Sequence, residues 1–338
     1  MLRVGVVGLG MGKSHVHAYH AIPDVVVESV CDTNPDLLSR VATEFEVPHA
    51  VAQWEQLCDL KLDIISICTP DHLHYAMAKR ALESGAHVVC EKPMTTSLED
   101  ALDLVHAVHR TGRHLAVGNV NRYEPQFRAL RGLVEDDRLG ELFMVEGAYI
   151  HDMRRVYRKT PWRTDPAYPQ NAWFGGGVHP VDLVRWLAGE VVEITLYQNK
   201  VASAPEFPLP DNYVATLRFE SGCLGRVWET SGIRRWPEHI VTLGAYGAEG
   251  TAIADTESRV LTAWLDPHDS NRDGPTRTPF SAARGHPVLE ELRDIVASIR
   301  ADRPPLVDVV DGARTIAVLD AGLQSVGSAR PERVQQIA

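Results

Sequence analysis

The chain has 338 residues, of which 44% are hydrophobic and 23% are charged, a balance typical of a globular protein rather than a disordered one. A chain of this length is expected to form about two domains. Lysine and arginine number 34 against 45 aspartate and glutamate residues, so the formal net charge is −11. Because a phosphate backbone needs a basic face, this charge excludes nucleic acid as the expected partner.

The cysteine count and the apolar runs restrict the class of protein further. The five cysteines form no C-x-x-C pair, which argues against a disulfide framework and against a metal site. No apolar run approaches the ~18 residues of a membrane-spanning helix. The first strand-like run starts at Leu2, so we expect no signal peptide. The chain is therefore expected to be soluble and cytoplasmic, with no membrane partner.

The first 120 residues alternate short apolar runs with amphipathic runs of helix length. The apolar runs cover residues 3–7, 24–31, 63–68, 86–90 and 114–120. They are rich in Val, Ile and Leu with little alternation, which is typical of strands buried on both faces. Helix starts are predicted at Asn34-Pro35, at Asp71, and at a capping box of Thr96 with Glu99. The pattern predicts an α/β domain over 1–121, with a doubly wound parallel sheet of the Rossmann type.

Residues 122–338 have a different pattern, which predicts a second domain of the α+β class. More alternating strands are expected at 141–149, 193–201, 214–219, 225–230 and 240–245, and helices at 126–135, 287–299 and 311–326. Turn signals between the strands indicate a mostly antiparallel sheet. The polar segment 266–284 is predicted to be a long loop.

A glycine-rich segment follows the first strand and opens a helix. Its residues are Gly8, Leu9, Gly10, Met11 and Gly12. Glycines let the backbone turn tightly beside a pyrophosphate, and a helix N-terminus then presents N–H groups to it. The usual third glycine would fall at Lys13, whereas the glycine is Gly12, so helix–strand packing is expected to differ there.

An acidic residue, Asp32, ends the second strand-like run. An acid there accepts hydrogen bonds from the adenosine ribose and repels a 2′-phosphate, which favours NAD, with NADP as the alternative. Asp32 also suits the start of an Asp-Thr-Asn-Pro turn, and the two roles are compatible.

Two further segments carry candidate proton-transfer groups. Lys92 follows the run that ends at Cys90, where a parallel sheet places its ligands, but it also suits an ion pair with Glu91. His179 stands at a helix start after three glycines, with Asp182 one turn later. A histidine oriented by a carboxylate is a usable general base, although the same spacing suits a helix cap with a first-turn acid.

Together these segments resemble the Gfo/Idh/MocA family of oxidoreductases, the relatives of glucose–fructose oxidoreductase and inositol dehydrogenase. The matching pieces are Gly8-x-Gly10 with His15, Cys31-Asp32-x-Asn34-Pro35, Thr69-Pro70-Asp71-x-x-His74, Gly85-x-His87-Val88, Glu91-Lys92-Pro93-Met94, Asn121-Arg122-Tyr123-x-Pro125, Trp162-Arg163, the 175–182 stretch and Tyr246-Gly247-x-x-Gly250. The resemblance covers essentially the whole chain. It implies a Rossmann domain followed by an α+β domain whose large open sheet joins subunits, hence a homodimer or homotetramer.

The resemblance also implies pyridine-nucleotide redox chemistry on sugars, cyclitols or their derivatives. Lys92 and His179 are then the active-site lysine and the acid/base histidine, and the spacing noted above adds Asp182 as the group that orients His179. The cofactor site implied in this way adds Thr69, Pro70, His74, Glu91, Lys92, Asn121 and Arg122 to the glycine loop and Asp32. The implied substrate side comprises Trp162 and Arg163 together with Lys92 and His179. Tyr123 and Arg154 are added as candidates for their side-chain chemistry, although the arginines could equally be a solvated loop.

One departure from the family pattern keeps three functions open. Many sugar and inositol dehydrogenases of the family carry Asp four residues before the active-site histidine, and here that residue is Gly175. The main hypothesis is an NAD-dependent dehydrogenase acting on a hydroxyl of a sugar or cyclitol. The alternatives are a redox-neutral, NAD-dependent glycoside-cleaving enzyme and a non-catalytic nucleotide or sugar sensor.

Overall fold

The computed structural model describes residues 1–165, 167–168, 170–200, 207–234, 239–265, 274–281 and 286–337. The chain forms two compact units, Met1–Val120 with Pro287–Ile316, and Asn121–His286 with Ala317–Ala338. The predicted division at residue 121 assigned residues 287–316 to the second domain, whereas they belong to the first unit. Within the described ranges, no helix combines the length and apolarity that crossing a membrane requires.

The first unit is built on a six-stranded sheet in which every neighbouring pair is parallel. Its strands are β1 (Leu2–Val7), β2 (Val25–Cys31), β3 (His49–Val51), β4 (Ile64–Ile67), β5 (His87–Glu91) and β6 (Leu115–Gly118). The order β3-β2-β1-β4-β5-β6 is that of a Rossmann fold, which confirms the predicted fold class. No apolar run predicts β3, because this short edge strand is largely exposed.

The helices alternate with the strands in the first unit and pack on one face of the sheet in the second. They are α1 (Leu9–His20), α2 (Pro35–Glu44), α3 (Glu55–Asp59), α4 (His74–Glu83), α5 (Leu98–Thr111), α6 (Pro125–Glu135), α7 (Arg154–Lys159), α8 (Ala172–Gly175), α9 (Val178–Ala188), α10 (Val288–Arg300) and α11 (Val309–Ser328). Asn34 caps α2 as predicted, accepting from two backbone N–H groups. The predicted capping box on α5 is wrong, because Ser97 rather than Thr96 caps that helix and accepts from the backbone N–H of Asp100.

Helix α10 belongs to the first unit because its apolar face completes the core of that unit. Leu292, Ile295 and Val296 are buried with Val16 and Tyr19 of α1. Burial of apolar area at roughly 25 cal/mol per Å² favours this packing. Local sequence pattern identifies α10 as an amphipathic helix, but it does not say on which core the helix packs.

The second unit contains a nine-stranded sheet that is antiparallel except for one pair, which confirms the predicted α+β class. Its strands are β7 (Leu142–His151), β8 (Val191–Asn199), β9 (Asn212–Phe219), β10 (Leu224–Thr230), β11 (His239–Gly247), β12 (Gly250–Asp255), β13 (Val260–Leu265), β14 (Thr276–Pro279) and β15 (Glu332–Arg333). The order is β14-β13-β12-β11-β7-β10-β9-β8-β15, and β10 runs parallel to β7.

The predicted long loop at 266–284 needs one correction. Residues 266–273 and 282–285 lie outside the described residues, but Thr276–Pro279 is a strand that pairs antiparallel with β13. All four residues of this strand are exposed and polar or proline. Edge strands of this kind carry no apolar alternation, so sequence pattern misses them.

The two faces of the nine-stranded sheet differ. Along β9, buried and exposed residues alternate, and the buried side includes Gly147 of β7, whose Cα lies against Pro180 and Val184 of α9. The opposite face carries large exposed hydrophobic residues, among them Tyr197 and Trp228. We call this face the open face.

Candidate active site

The glycine loop has the geometry that a bound pyrophosphate requires. Gly8 has φ +85°, and a Cβ there would lie 2.6 Å from the carbonyl carbon of Cys68, so only glycine fits. A Cβ at Gly10 would meet nothing within 4 Å, which leaves the backbone open to an approaching group. Gly12 would place a Cβ 2.8 Å from Val6, so Gly12 allows the close helix–strand packing usually ascribed to the third glycine.

Asp32 supports this loop directly. Its Oδ2 accepts from the backbone N–H of Leu9 at 2.7 Å, and its Oδ1 accepts from that of Asn34 at 2.8 Å. Asp32 therefore ties the end of β2 to the start of α1 and begins the predicted turn as well. The Leu9 side chain is buried in the apolar core of the unit, and the partly buried Met11 side chain packs against that core.

These residues fit a dinucleotide. The loop N–H groups of Gly10 and Met11 at the N-terminus of α1 suit a pyrophosphate, and the Asp32 carboxylate suits ribose hydroxyls. Thr69 and Pro70 follow β4 at the same edge of the sheet, where Pro70 precedes a short 3-10 turn, Asp71–Leu73.

Lys92 follows β5 and is preceded by a tightly held carboxylate. Glu91 Oε1 contacts His15 Nε2 at 3.1 Å, and Glu91 Oε2 accepts from the backbone N–H of Lys92 at 3.3 Å. His15 Nδ1 also contacts the Ser66 hydroxyl at 2.8 Å. Burial acts to raise the pKa of Glu91, but the hydrogen bond and charge of His15 and the charge of Lys92 lower it overall.

His15 is fully buried, and its pKa is raised to about 10. Burial alone would lower this pKa, while the neighbouring Cys68 and the hydrogen bond and charge of Glu91 raise it. The resemblance attached no role to His15, and the structure places it between Ser66 at β4 and the carboxylate that precedes Lys92.

His74 was predicted to line the cofactor, but its ring nitrogens contact backbone carbonyls. Nδ1 lies 2.8 Å from the Pro93 oxygen and Nε2 lies 2.9 Å from the Thr69 oxygen. The side chain is buried. Its direct partners in the structure are therefore the two chain segments that follow β4 and β5.

In the second unit, His179 lies in the first turn of α9 with its ring held from two sides. The Asn121 amide nitrogen is 3.0 Å from His179 Nδ1. The Tyr149 ring stacks on the imidazole with centroids 5.0 Å apart. His179 is buried, and an amide and an aromatic ring are among the groups that hold its imidazole.

Asp182, predicted to orient His179, forms a buried ion pair with Arg122. Its two oxygens accept from Arg122 Nε at 2.9 Å and from the terminal nitrogen at 2.7 Å, a bidentate geometry. The Arg122 guanidinium also lies 5.6 Å from the centre of the Trp186 ring. The neighbouring residues Asn121 and Arg122 thus hold His179 and Asp182 respectively.

The space next to Gly175 is filled by another side chain. A Cβ at 175 would lie 2.9 Å from Cδ and 3.1 Å from the amide nitrogen of Gln170. The Gln170 oxygen accepts a short hydrogen bond from Arg163, and Arg163 stacks on Trp162 with its guanidinium carbon 4.3 Å from the ring centre. Trp162 and Arg163 therefore lie in the network that fills position 175.

Two other predicted substrate residues have partners within the second unit. Tyr123 is buried, with the Arg128 guanidinium 5.4 Å from its ring centre. Arg154 forms a close ion pair with Asp152. That pair is in keeping with the solvated-loop interpretation of Arg154.

Sequence reasoning missed a buried acid near His179. Glu229 on β10 is fully buried, its Oε1 accepts from Ser231 Oγ at 2.7 Å, and its Oε2 has no hydrogen-bond partner among the described residues. Burial raises the pKa of Glu229 well above its usual range, opposed by Ser231 and reinforced by Asp211. A Cβ at Gly176 would lie 2.8 Å from Glu229 Oε1, which places this acid against the segment before His179. No sequence signal identified Glu229, since it reads as one more alternating strand residue.

Other residues near Tyr149 were also missed. The Tyr149 hydroxyl is 2.9 Å from His151 Nδ1, and the His239 ring lies 5.3 Å from that of His151. His286 stacks on His239 at 5.4 Å. Strand pairing of β7 with β11 places His151 opposite His239, a juxtaposition visible only once the register is known. Within the described residues, no group of three or more His, Cys, Asp and Glu is placed to hold a metal ion.

The fold and the glycine loop define a dinucleotide-binding protein with a separate α+β unit. Residues 2–119 match the model of an oxidoreductase family with an NAD-binding Rossmann fold, and residues 131–334 match the C-terminal alpha/beta domain of the same family. The chain belongs to the Gfo/Idh/MocA family of oxidoreductases. It is an NAD-binding oxidoreductase, and NAD is the cofactor of its Rossmann unit.

Relatives with curated names are similar over most of the chain. Levoglucosan dehydrogenase of Pseudarthrobacter phenanthrenivorans is 27% identical, covering 88% of this chain and 84% of that protein. Myo-inositol 2-dehydrogenase of Thermotoga maritima is 24% identical, covering 99% of each. The solved structure of a levoglucosan dehydrogenase in complex with NADH and levoglucosan superposes with a TM-score of 0.91, at 23% identity, covering 99% of this chain and 100% of that one. That structural likeness shows the shared fold.

Proposed function

We propose that the protein is a cytoplasmic NAD-dependent dehydrogenase that oxidises a CH–OH group of a sugar, cyclitol or sugar derivative. The observation that carries the proposal is the position of Lys92, which lies at the carboxyl edge of the same parallel sheet whose β1 leads into the glycine loop. Ligands of open α/β sheets bind at this edge. The names of the relatives, which act on levoglucosan and inositol, support the substrate class.

When bound, NAD supplies the hydride acceptor, so the protein must move the hydroxyl proton and stabilise the developing alkoxide. His179 and Lys92 are the proposed groups for these two tasks. An ammonium such as Lys92 donates hydrogen bonds to an alkoxide, and an imidazole such as His179 accepts a proton near neutral pH.

The amide partner of His179 decides whether Nε2 can take a proton. When the Asn121 NH2 donates to Nδ1, the proton of the neutral ring is on Nε2, which then cannot accept another. When the amide is rotated, its oxygen accepts from Nδ1–H, and Nε2 can accept a proton. In this second arrangement the imidazolium that forms donates Nδ1–H to the amide oxygen and can return its Nε2 proton in the reverse reaction.

The test is NADH formation at 340 nm with NAD and NADP in parallel, across free sugars, inositols, sugar acids and aryl glycosides. We expect NADH with one polyol class. On that substrate, Lys92→Ala and His179→Ala should each lower kcat by roughly 100-fold or more while retaining NAD binding. Lys61→Ala, at an exposed lysine of the same unit, is the matched control and should retain full activity.

Other results would favour the alternatives. Aryl-glycoside cleavage without accumulation of NADH would indicate the redox-neutral enzyme. Tight NAD binding with neither product would indicate a sensor. Turnover undiminished in Lys92→Ala would remove this lysine from the mechanism.

We also propose that the chain forms a homodimer or homotetramer through the open face of its nine-stranded sheet. Tyr197 is 72% and Leu224 54% exposed there, and exposed apolar patches of this kind mark protein interfaces. Leu224→Glu should lower the mass measured by light scattering to that of a smaller species. An unchanged mass in that variant would place the interface elsewhere.

A further inference from the structure

The two ring nitrogens of His74 both face groups that can only accept hydrogen bonds. Nδ1 lies 2.8 Å from the carbonyl oxygen of Pro93, and Nε2 lies 2.9 Å from that of Thr69. A neutral imidazole has one N–H, whereas an imidazolium has two. Both hydrogen bonds can therefore form only when His74 carries a positive charge, and the ring is buried, at 1% exposure.

These bonds connect two segments at the carboxyl edge of the parallel sheet. Thr69 follows β4, and Pro93 comes directly after Lys92, which follows the neighbouring β5. His74 is the first residue of α4, and its ring bridges the two segments. It therefore fixes the backbone on the C-terminal side of Lys92 relative to the Thr69 segment.

The Glu91 carboxylate lies within electrostatic range of the His74 ring. The positive charge of His74 is among the causes that lower the pKa of Glu91, after those of His15 and Lys92. Glu91 holds the backbone N–H of Lys92 through Oε2. Lys92 is thus fixed on its N-terminal side by Glu91 and on its C-terminal side, through Pro93, by His74.

We propose that His74 is a positioning residue which, as an imidazolium, fixes the main chain that presents Lys92. The proposal rests on the proposed function for the use of Lys92 in turnover, but the charge and the positioning can be measured without turnover. It replaces the expectation that the His74 side chain lines the cofactor.

Two isosteric variants separate the two hydrogen bonds. The amide nitrogen of Asn overlays Nδ1 of histidine, so His74→Asn retains a donor to Pro93. The amide nitrogen of Gln overlays Nε2, so His74→Gln retains a donor to Thr69. Each variant removes one buried hydrogen bond and the positive charge, so a purely structural role predicts similar losses in both.

Positioning of Lys92 predicts different results for the two variants. With the polyol substrate, His74→Asn should retain kcat within about threefold, whereas His74→Gln should lose about tenfold or more, the size expected for a lost hydrogen bond of a charged group. The KM for NAD should change little in either variant. Equal kcat losses in the two variants would overturn the positioning role.

Two measurements decide the proposal independently of any substrate. In wild-type protein labelled with 15N-histidine, the His74 ring, identified by its loss in His74→Asn, should show two protonated nitrogens at pH 7.5. A single protonated nitrogen would refute the imidazolium. Acetylation of Lys92 relative to the exposed Lys61, measured by mass spectrometry of the intact protein's peptides, should change in His74→Gln and be unchanged in His74→Asn.

The failures of the two proposals are distinguishable. A wild-type protein without NADH formation on any substrate would reject the dehydrogenase, and the ring nitrogens and the acetylation ratios would still test His74. An active wild-type protein with the same Lys92 acetylation ratio in both variants would reject the positioning role alone.

Discussion

The buried pair of Arg122 and Asp182 gives a prediction that separates structure from catalysis. Asp182 was expected to orient His179, but both of its oxygens accept from Arg122, and the two side chains are 4% and 1% exposed. We therefore expect Asp182→Asn to lower stability far more than it lowers the rate of the chemical step. The substitution conserves shape and retains one acceptor oxygen, so its main effect is the loss of the carboxylate charge beside a buried guanidinium.

The magnitude follows from the burial of this pair. Removing one partner of a buried ion pair costs about 3–5 kcal/mol, and the acceptor that Asn retains argues for the lower end. For a unit of this size, a loss of about 3 kcal/mol lowers the melting midpoint by roughly 6–12 °C. Replacing both partners by apolar residues of similar size, as in Arg122→Met with Asp182→Leu, should recover much of this loss because no charge is then left unpaired.

The assay pairs calorimetric melting with turnover measured well below the melting midpoint. Glu135→Gln is the matched control, because Glu135 pairs with Arg131 at the surface of the same unit with 57% of its side chain exposed. Exposed pairs contribute at most about 1 kcal/mol, so this variant should melt close to the wild type. A normal melting midpoint with a hundredfold lower kcat in Asp182→Asn would refute the structural assignment and return Asp182 to the site of proton transfer.

Three further predictions concern other sites. The pKa of Glu229 is raised above its ordinary value of 4.5, so the unfolded chain loses this proton at a lower pH than the folded protein does. The free energy of unfolding of the wild type should therefore fall by up to about 1.4 kcal/mol per pH unit as the pH rises above 4.5. Glu229→Gln removes this contribution. Denaturation measured from pH 5 to 8 should therefore show that the variant gains stability over the wild type and that the gain grows with pH. Parallel curves of stability against pH for the two proteins would contradict this prediction. Gly175→Asp should lower the melting temperature because its side chain meets Gln170, and adding Gln170→Ala should restore it; equal midpoints for the single and double variants would show that the contact is not limiting. Asp32→Asn should tighten NADP binding about tenfold in fluorescence titration by removing a like charge, and an unchanged NADP affinity would remove Asp32 from nucleotide selection.

The fold was largely predictable because its signals are local. Buried parallel strands appear as unbroken apolar runs, and the cap at Asn34 and the turn at Gly8 are set by residue types within a few positions. The edge strands β3 and β14 were missed because neither has a buried apolar face. The location of α10 depends on its contacts with α1, which lies more than about 250 residues earlier in the sequence. No local pattern contains that information.

The site was predictable in its residue types more than in its contacts. The motifs singled out Lys92, His179 and Asp182, but sequence spacing suggested that Asp182 would serve His179. The structure instead pairs Asp182 with Arg122, because the segment before α6 lies across the first turn of α9. Glu229 had no local signal, since a buried strand acid is recognised only when its neighbours are known.

Position 175 shows how a missing side chain can be misread from sequence alone. Compared with the family motif, Gly175 stands where many relatives carry an acid, and the absence of that acid suggests that the chemistry is lost. In the structure the volume beside Gly175 is taken by the Gln170 amide, which Arg163 holds, and a different acid, Glu229, lies against the next residue. The segment before His179 is therefore fully packed and carries a buried carboxyl group from β10. A glycine there is therefore compatible with an ordered segment before His179.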